Sequence, residues 1–200
     1  MLVPYEWLVE FVPGLPPPNE LAEALTMSGT AVEAVVGEEE PVFDLEITHN
    51  RPDCLSIFGA AREASAVLGL PLCHPDLSVR EEGRPADELA SVDIDAPDLC
   101  GRYIARMVTD VRIGPSPDWM QARLLACGIR PVNNIVDVTN YVMLEVGQPL
   151  HAFDRNALSE GRILVRRARP GETITTIDGE SRQLNDDMLV IADPERAVAV

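Results

Sequence analysis

The chain has 200 residues, with 33 acidic side chains against 16 basic ones, all arginine, for a formal net charge of −17. A hydrophobic content of 46% excludes an acidic disordered tail of low hydrophobicity, and no apolar run approaches the roughly 20 residues that span a bilayer. The acidity is uneven, with 20 acidic and 4 basic residues in 1–100 and 13 and 12 in 101–200, so any nucleic-acid contact is expected locally in the second half.

The N-terminus lacks the basic, apolar, small-residue layout of a signal peptide, so a soluble cytoplasmic protein is expected. The cysteines Cys54, Cys73, Cys100 and Cys127 form no C-x-x-C pair. Cys73-His74 is half of a metal site at most, with no second half in view, so no metal site is expected.

In chain order, Trp7, Leu8 and Phe11 share a helical face in residues 4–12, and the loop from Pro13 to Pro18 stops that helix. Asn19 is placed as the cap of a second helix ending before Gly29. Residues 31–36 and 42–48 read as strands, the latter alternating Val42, Asp44, Glu46 with Phe43, Leu45, Ile47. Asp53 is placed as the cap of a helix over 54–68 that Gly69 ends. Residues 74–90, rich in Pro, Glu, Asp and Arg, read as a linker.

Beyond the linker, 91–94 and 101–111 are expected as strands. Ser116-Pro117-Asp118 opens a helix that Gly128 stops, and Asn134 opens another to about Val146, closed by Gly147. The remainder is β-like: 163–167, a hairpin turning at Asp178-Gly179, and 188–192. The residues from Arg196 to Val200 close on an apolar run with no stop signal, as if cut within an element. The fold class is α/β of the α+β type, with mostly antiparallel sheets and packed helices. Two pieces are expected, 1–73 and 91–200.

Three stretches are polar where a packed fold prefers apolar residues. Thr48 to Asp53 is either a hydrogen-bonded corner or part of a site. The helix carrying Ile135, Val138 and Val142 also carries Asn133, Asn134, Asp137, Thr139 and Asn140. Buried amides and hydroxyls left unpaired cost about 1–3 kcal/mol each, so this cluster implies a polar network or a ligand. Past its end, Gln148-Pro149-Leu150 presents His151 from a rigid corner, as a satisfied structural histidine or a titratable group of a pocket. Arg130, Thr139, Asn140 and His151 together would offer one cation, neutral hydrogen-bonders and a titratable group. That set suits an amino-acid ester joined to a nucleotide better than a Ser-His-Asp triad, since no nucleophile elbow, Walker loop or G-x-G-x-x-G is present. Arg162, Arg166, Arg167 and Arg169 form a basic cluster, either a solvated edge strand or an RNA phosphate contact.

Asn50-Arg51-Pro52-Asp53-Cys54-Leu55-Ser56, residues 128–143 and residues 147–154 closely resemble the bacterial phenylalanyl-tRNA synthetase beta-subunit family. The opening Val3-Pro4-Tyr5-Glu6-Trp7-Leu8 and the closing Leu189-Val190-Ile191-Ala192-Asp193 resemble it too. The resemblance implies an α2β2 heterotetramer that joins phenylalanine to tRNA(Phe), with ATP and Mg2+ used in the alpha chain and no cofactor in this one. It also implies an editing site in the beta chain that hydrolyses mischarged tyrosyl-tRNA(Phe), begun by residues 91–200. An apolar pocket rejects an isostere that merely adds a hydroxyl only about 100-fold, which makes a second sieve useful. On this reading Arg130, Thr139 and His151 fall in the editing pocket, Arg130 holding the tRNA end, Thr139 and Asn140 the amino acid, and His151 orienting water or the ester. Arg162, Arg166, Arg167 and Arg169 are candidate tRNA contacts.

Two departures accompany the resemblance. Only Gly37-Glu38-Glu39-Glu40 stands where bacterial members carry an OB-fold insertion, and the family continues beyond the position of Val200 into a glycine-rich segment that completes the pocket. The 200 residues by themselves are therefore expected to be inactive. The rival readings are a scaffold or tRNA-docking module without chemistry, and a stand-alone amino-acid-binding paralogue.

Overall fold

The computed structural model describes residues 1–200, which form two compact units: Met1–Ser78 with Arg112–Ala152, and Val79–Val111 with Phe153–Val200. The boundary after Ser78 falls inside the expected linker, but the expected division into 1–73 and 91–200 is not how the contacts run. Residues 112–152 carry two helices whose apolar faces are met by the N-terminal elements, whereas a polar linker marks only where the chain leaves a core. It does not say on which core later segments settle.

In the first unit, β1 (Leu2–Pro4), β2 (Ala31–Val36) and β3 (Val42–Glu46) form an antiparallel sheet in the order β1-β3-β2. The alternation read in β3 is realised, with Phe43 and Leu45 buried between half-exposed neighbours. Helices α1 (Tyr5–Phe11), α2 (Pro18–Ser28) and α3 (Ile57–Leu68) cover it, and Trp7, Leu8, Leu21, Leu25, Ile57 and Ala61 fill the core with them. Then α4 (Asp118–Ala126) lies against β1, and α5 (Asn134–Val146) against α3 and α4.

Two caps differ from expectation. Helix α2 starts one residue before Asn19, after Pro17. Residues 52–54 make a single 3-10 turn, and Ser56 rather than Asp53 caps α3, its Oγ accepting from the Gly59 amide at 3.0 Å. Pro52 at the head of that turn and an Arg51-anchored Asp53 keep the chain from entering the α-helix earlier. Gly59 has no room for a side chain, since a Cβ there would sit 2.1 Å from the Asp53 carbonyl oxygen.

The second unit holds β4 (Ser91–Ile94), β5 (Arg162–Arg167), β8 (Leu189–Ala192) and β9 (Ala197–Ala199) in the order β4-β5-β8-β9, plus the hairpin β6 (Thr173–Thr175) and β7 (Ser181–Gln183). All ladders are antiparallel except β4 with β5, so the mostly antiparallel α+β class holds. Leu164, Ile174, Leu184 and Val190 are its core.

The expected strand at 101–111 is absent. Those residues are in no ladder, and Ile104 and Val108 stand 68% and 71% exposed. An apolar alternation becomes a strand only where a neighbouring edge accepts its hydrogen bonds.

Candidate functional site

Helix α5 is built by its ends. Asn133 caps it, its Oδ1 accepting from the amides of Ile135 and Val136 at 3.0 and 3.1 Å. Gly147 ends it in the left-handed region at φ 77°, a conformation that favours glycine, and the turn lies at ordinary contact distance over Ser56. The corner that leads to His151 is thereby set down on the head of α3.

The polar residues of α5 separate into two sets. Asn134 donates to the Arg112 carbonyl at 2.9 Å and accepts from the Gly114 amide at 3.3 Å. Asp137, only 1% exposed, accepts from Ser116 Oγ at 2.5 Å and from the Val132 amide at 2.8 Å. Tyr141 stacks on Trp7 with centroids 4.6 Å apart and meets Trp119 edge-on, and its hydroxyl accepts from Arg123 at 2.8 Å. Burial, then the neighbouring Glu145, drives that phenol well above its usual pKa. These residues are the structural network that the cluster allowed for.

Thr139 projects from the other side of the helix, in line with Val136 and Met143 at i−3 and i+4. Its hydroxyl only turns back onto the Val136 carbonyl at 2.7 Å. Asn140 flanks that strip, half-buried, and its amide is engaged with no group of this chain. Arg130 is exposed and its guanidinium likewise holds no carboxylate. His151 is exposed in the irregular segment after Gly147. Arg130, Thr139, Asn140 and His151 thus share one unit, and the α3-head cleft of about 360 Å³ between Pro52, Ser56, Arg62 and Val146 is lined by none of them. No three His, Cys, Asp or Glu side chains are gathered in a way that could hold a metal ion.

The stretch from Thr48 to Asp53 resolves as a corner. Arg51 bridges Asp53 at 3.0 Å and Glu63 at 2.7 Å and reaches the buried Cys54 sulfur, and this pairing pulls the Asp53 carboxyl well below its usual range.

The arginine cluster is corrected more sharply. Strand β5 is interior, not a solvated edge. Arg162 pairs with Asp93 at 2.8 Å, Arg167 with Asp98 at 3.0 and 2.6 Å, and Arg166, 6% exposed, with Glu172 at 2.8 and 2.7 Å. Only Arg169 lacks a carboxylate partner, its guanidinium reaching the Pro194 carbonyl at 3.5 Å. Sequence reasoning also passed over Arg123, which lies over the Trp7 and Trp119 rings at 5.0 and 5.7 Å and pairs with Glu10. Its i,i+4 spacing from Trp119 on α4 was the available signal.

Residues 99–200 match the family described as the B3/4 domain, a span that takes in α4 and α5 of the first unit and, of the second, every strand but β4. The chain is 56% identical over 172 residues to the phenylalanine–tRNA ligase beta subunit of Moorella thermoacetica, covering 86% of this chain and 21% of that protein. It is 48% identical over 188 residues to that of Syntrophus aciditrophicus, 94% of this chain and 22% of that protein. With the Geobacillus kaustophilus subunit the figures are 49% over 165 residues, 82% and 20%. The chain therefore spans about a fifth of the length of the curated relatives it matches.

Proposed function

The chain belongs to the B3/4 domain family, and from that premise we propose that it serves in a phenylalanyl-tRNA synthetase beta chain, partnered by an alpha chain, and contributes there to hydrolysis of mischarged tyrosyl-tRNA(Phe). ATP and Mg2+ belong, on this reading, to charging in the alpha chain.

The observation that carries the reading is the division of α5. The side chains of Asn133, Asn134 and Asp137 are each spent on backbone or side-chain partners within the unit, while Asn140 and Arg130 keep hydrogen-bonding capacity that no group of this chain uses. A cation, and on α5 an amide next to a hydroxyl, with the cation and the amide free of internal partners, suit an anionic, acylated nucleotide end.

In the reaction, the oxygen of a water molecule bonds to the ester carbonyl carbon and the bond from that carbon to the ribose oxygen breaks. Tyrosine leaves as its carboxylic acid, and the ribose hydroxyl regains a proton. Arg130 holds the phosphate of the tRNA end, Thr139 and Asn140 bind the amino acid, and His151 orients the water or the carbonyl for attack.

The test measures tyrosyl-tRNA hydrolysis by the 200-residue chain, expected to be inactive, and by the Moorella thermoacetica subunit with this chain in place of its matching segment, expected to be active. Arg130→Ala and His151→Ala are each expected to lower the hybrid's rate by about a hundredfold or more. Unchanged hydrolysis after both substitutions would sink the assignment, leaving a docking module without chemistry.

A further inference from the structure

We infer that Asp137 is the positioning residue of this site: one buried side chain ties the loop that carries Arg130 to the helix that carries Thr139 and Asn140. What the positioning is for rests on the editing reading above; the tie itself rests on geometry alone.

Three backbone segments meet at Asp137. One carboxyl oxygen accepts from Ser116 Oγ at the head of α4 at 2.5 Å, the other from the Val132 amide at 2.8 Å, and the side chain is 1% exposed. Val132 is separated from Arg130 by Pro131 alone, whose ring fixes φ, so the Arg130 Cα lies within about 7 Å of the anchored amide. Thr139 and Asn140 follow Asp137 by two and three residues on a helix already capped at both ends, so fixing Asp137 fixes their positions too. Without this contact the loop 128–132 would be held by its own turn hydrogen bonds, Gly128 to Leu125 and Ile129 to Leu124, both upstream of Arg130.

The choice of an acid is informative. Both groups that hydrogen-bond to Asp137 are neutral donors, and it sits in the first turn of α5, where the helix dipole favours an acid. An apolar side chain of similar size would leave the Ser116 hydroxyl and the Val132 amide unpaired, so the carboxylate is what holds both segments to α5. An asparagine could keep both contacts, its carbonyl accepting from Val132 and its amide donating to a Ser116 hydroxyl turned around.

Amide hydrogen exchange on the 200-residue chain tests the tie, comparing Asp137→Ala, Asp137→Asn and Leu124→Ala, a fully buried site of the same unit. Asp137→Ala is expected to speed exchange at Val132 by about tenfold more than at Phe43 and Leu45, with Asp137→Asn restoring protection and Leu124→Ala speeding all three together. In the Moorella thermoacetica hybrid, Asp137→Ala is expected to lower kcat for tyrosyl-tRNA by about tenfold to a hundredfold with KM little changed, and Asp137→Asn to recover most of it. Uniform acceleration across the unit, failure of asparagine to restore protection, or an unchanged kcat in a variant with a loosened loop would each overturn the inference. If the unsubstituted hybrid hydrolyses no tyrosyl-tRNA, the editing reading fails, and the exchange data still decide for or against the tie.

Discussion

Replacing Arg166 by methionine removes a guanidinium that is almost fully buried and leaves Glu172 without its principal partner. In the folded chain Glu172 accepts from both terminal nitrogens of Arg166, at 2.8 and 2.7 Å, and from the amides of Arg169 and Ala197 at 2.8 and 3.1 Å. Those donors, Arg166 first, hold its carboxyl at about 2 against an ordinary 4.5, a difference worth about 3 kcal/mol at 1.36 kcal/mol per pH unit. With side chains 7% and 12% exposed, solvent does little to screen the pair. Breaking one partner of a buried pair costs about 3–5 kcal/mol; Arg166 is the largest contributor to the carboxyl shift, with the amides of Arg169 and Ala197 supplying a part that the substitution leaves in place.

A carboxyl held below its unfolded value contributes stability that is complete above pH 4.5 and is lost as the pH falls toward 2. Urea unfolding of the chain and of Arg166→Met should therefore differ by about 3 kcal/mol near pH 7, with the gap narrowing below about pH 4.5. A gap under about 1 kcal/mol that stays flat with pH would refute the reasoning and return Arg166 to the class of exposed pairs. Arg166→Met with unchanged stability but a shallower salt dependence of tRNA binding would reinstate a phosphate contact.

Gly59→Ala should destabilise the first unit by about 3 kcal/mol or more, because backbone rather than a flexible side chain occupies the Cβ position; thermal unfolding checks it. Leu124→Ala, at a site with 0% exposure, should cost about 2–5 kcal/mol in the same assay. Arg123→Met should lower stability by about 1–2 kcal/mol and shift tryptophan emission, since the guanidinium lies over two indole rings; an unchanged spectrum would count against the contact. Thr139→Val and Arg130→Ala should leave stability within about 0.5 kcal/mol while lowering tyrosyl-tRNA hydrolysis in the hybrid.

How much was legible depended on how local the cause was. Gly69 and Gly147 stop their helices at the places where local chain chemistry puts them, and the stop at Gly128 is met within two residues. Asn133, next to the residue expected to open α5, supplies its cap. The cap of α3 was missed because Asp53 is drawn away by Arg51, a competition visible only once both side chains are placed. The arginines of β5 looked like a free basic stripe because the acids that neutralise Arg162 and Arg167 stand 69 residues earlier in the chain, a separation no local pattern reports. The polar richness of α5 was plain, but its division into an inward set and an outward set required knowing which face meets Trp7. The strand expected at 101–111 failed for the same kind of reason, since pairing belongs to a neighbour rather than to the segment.

The most direct test of the central claim is the rate of hydrolysis of tyrosyl-tRNA(Phe) relative to phenylalanyl-tRNA(Phe) by the Moorella thermoacetica subunit carrying this chain, measured with and without the combined Arg130→Ala and His151→Ala substitutions at matched thermal stability. A preference for the tyrosyl ester that falls to the uncatalysed background in the doubly substituted protein is the predicted result. Equal rates on the two esters, or a preference that survives both substitutions, would contradict the account.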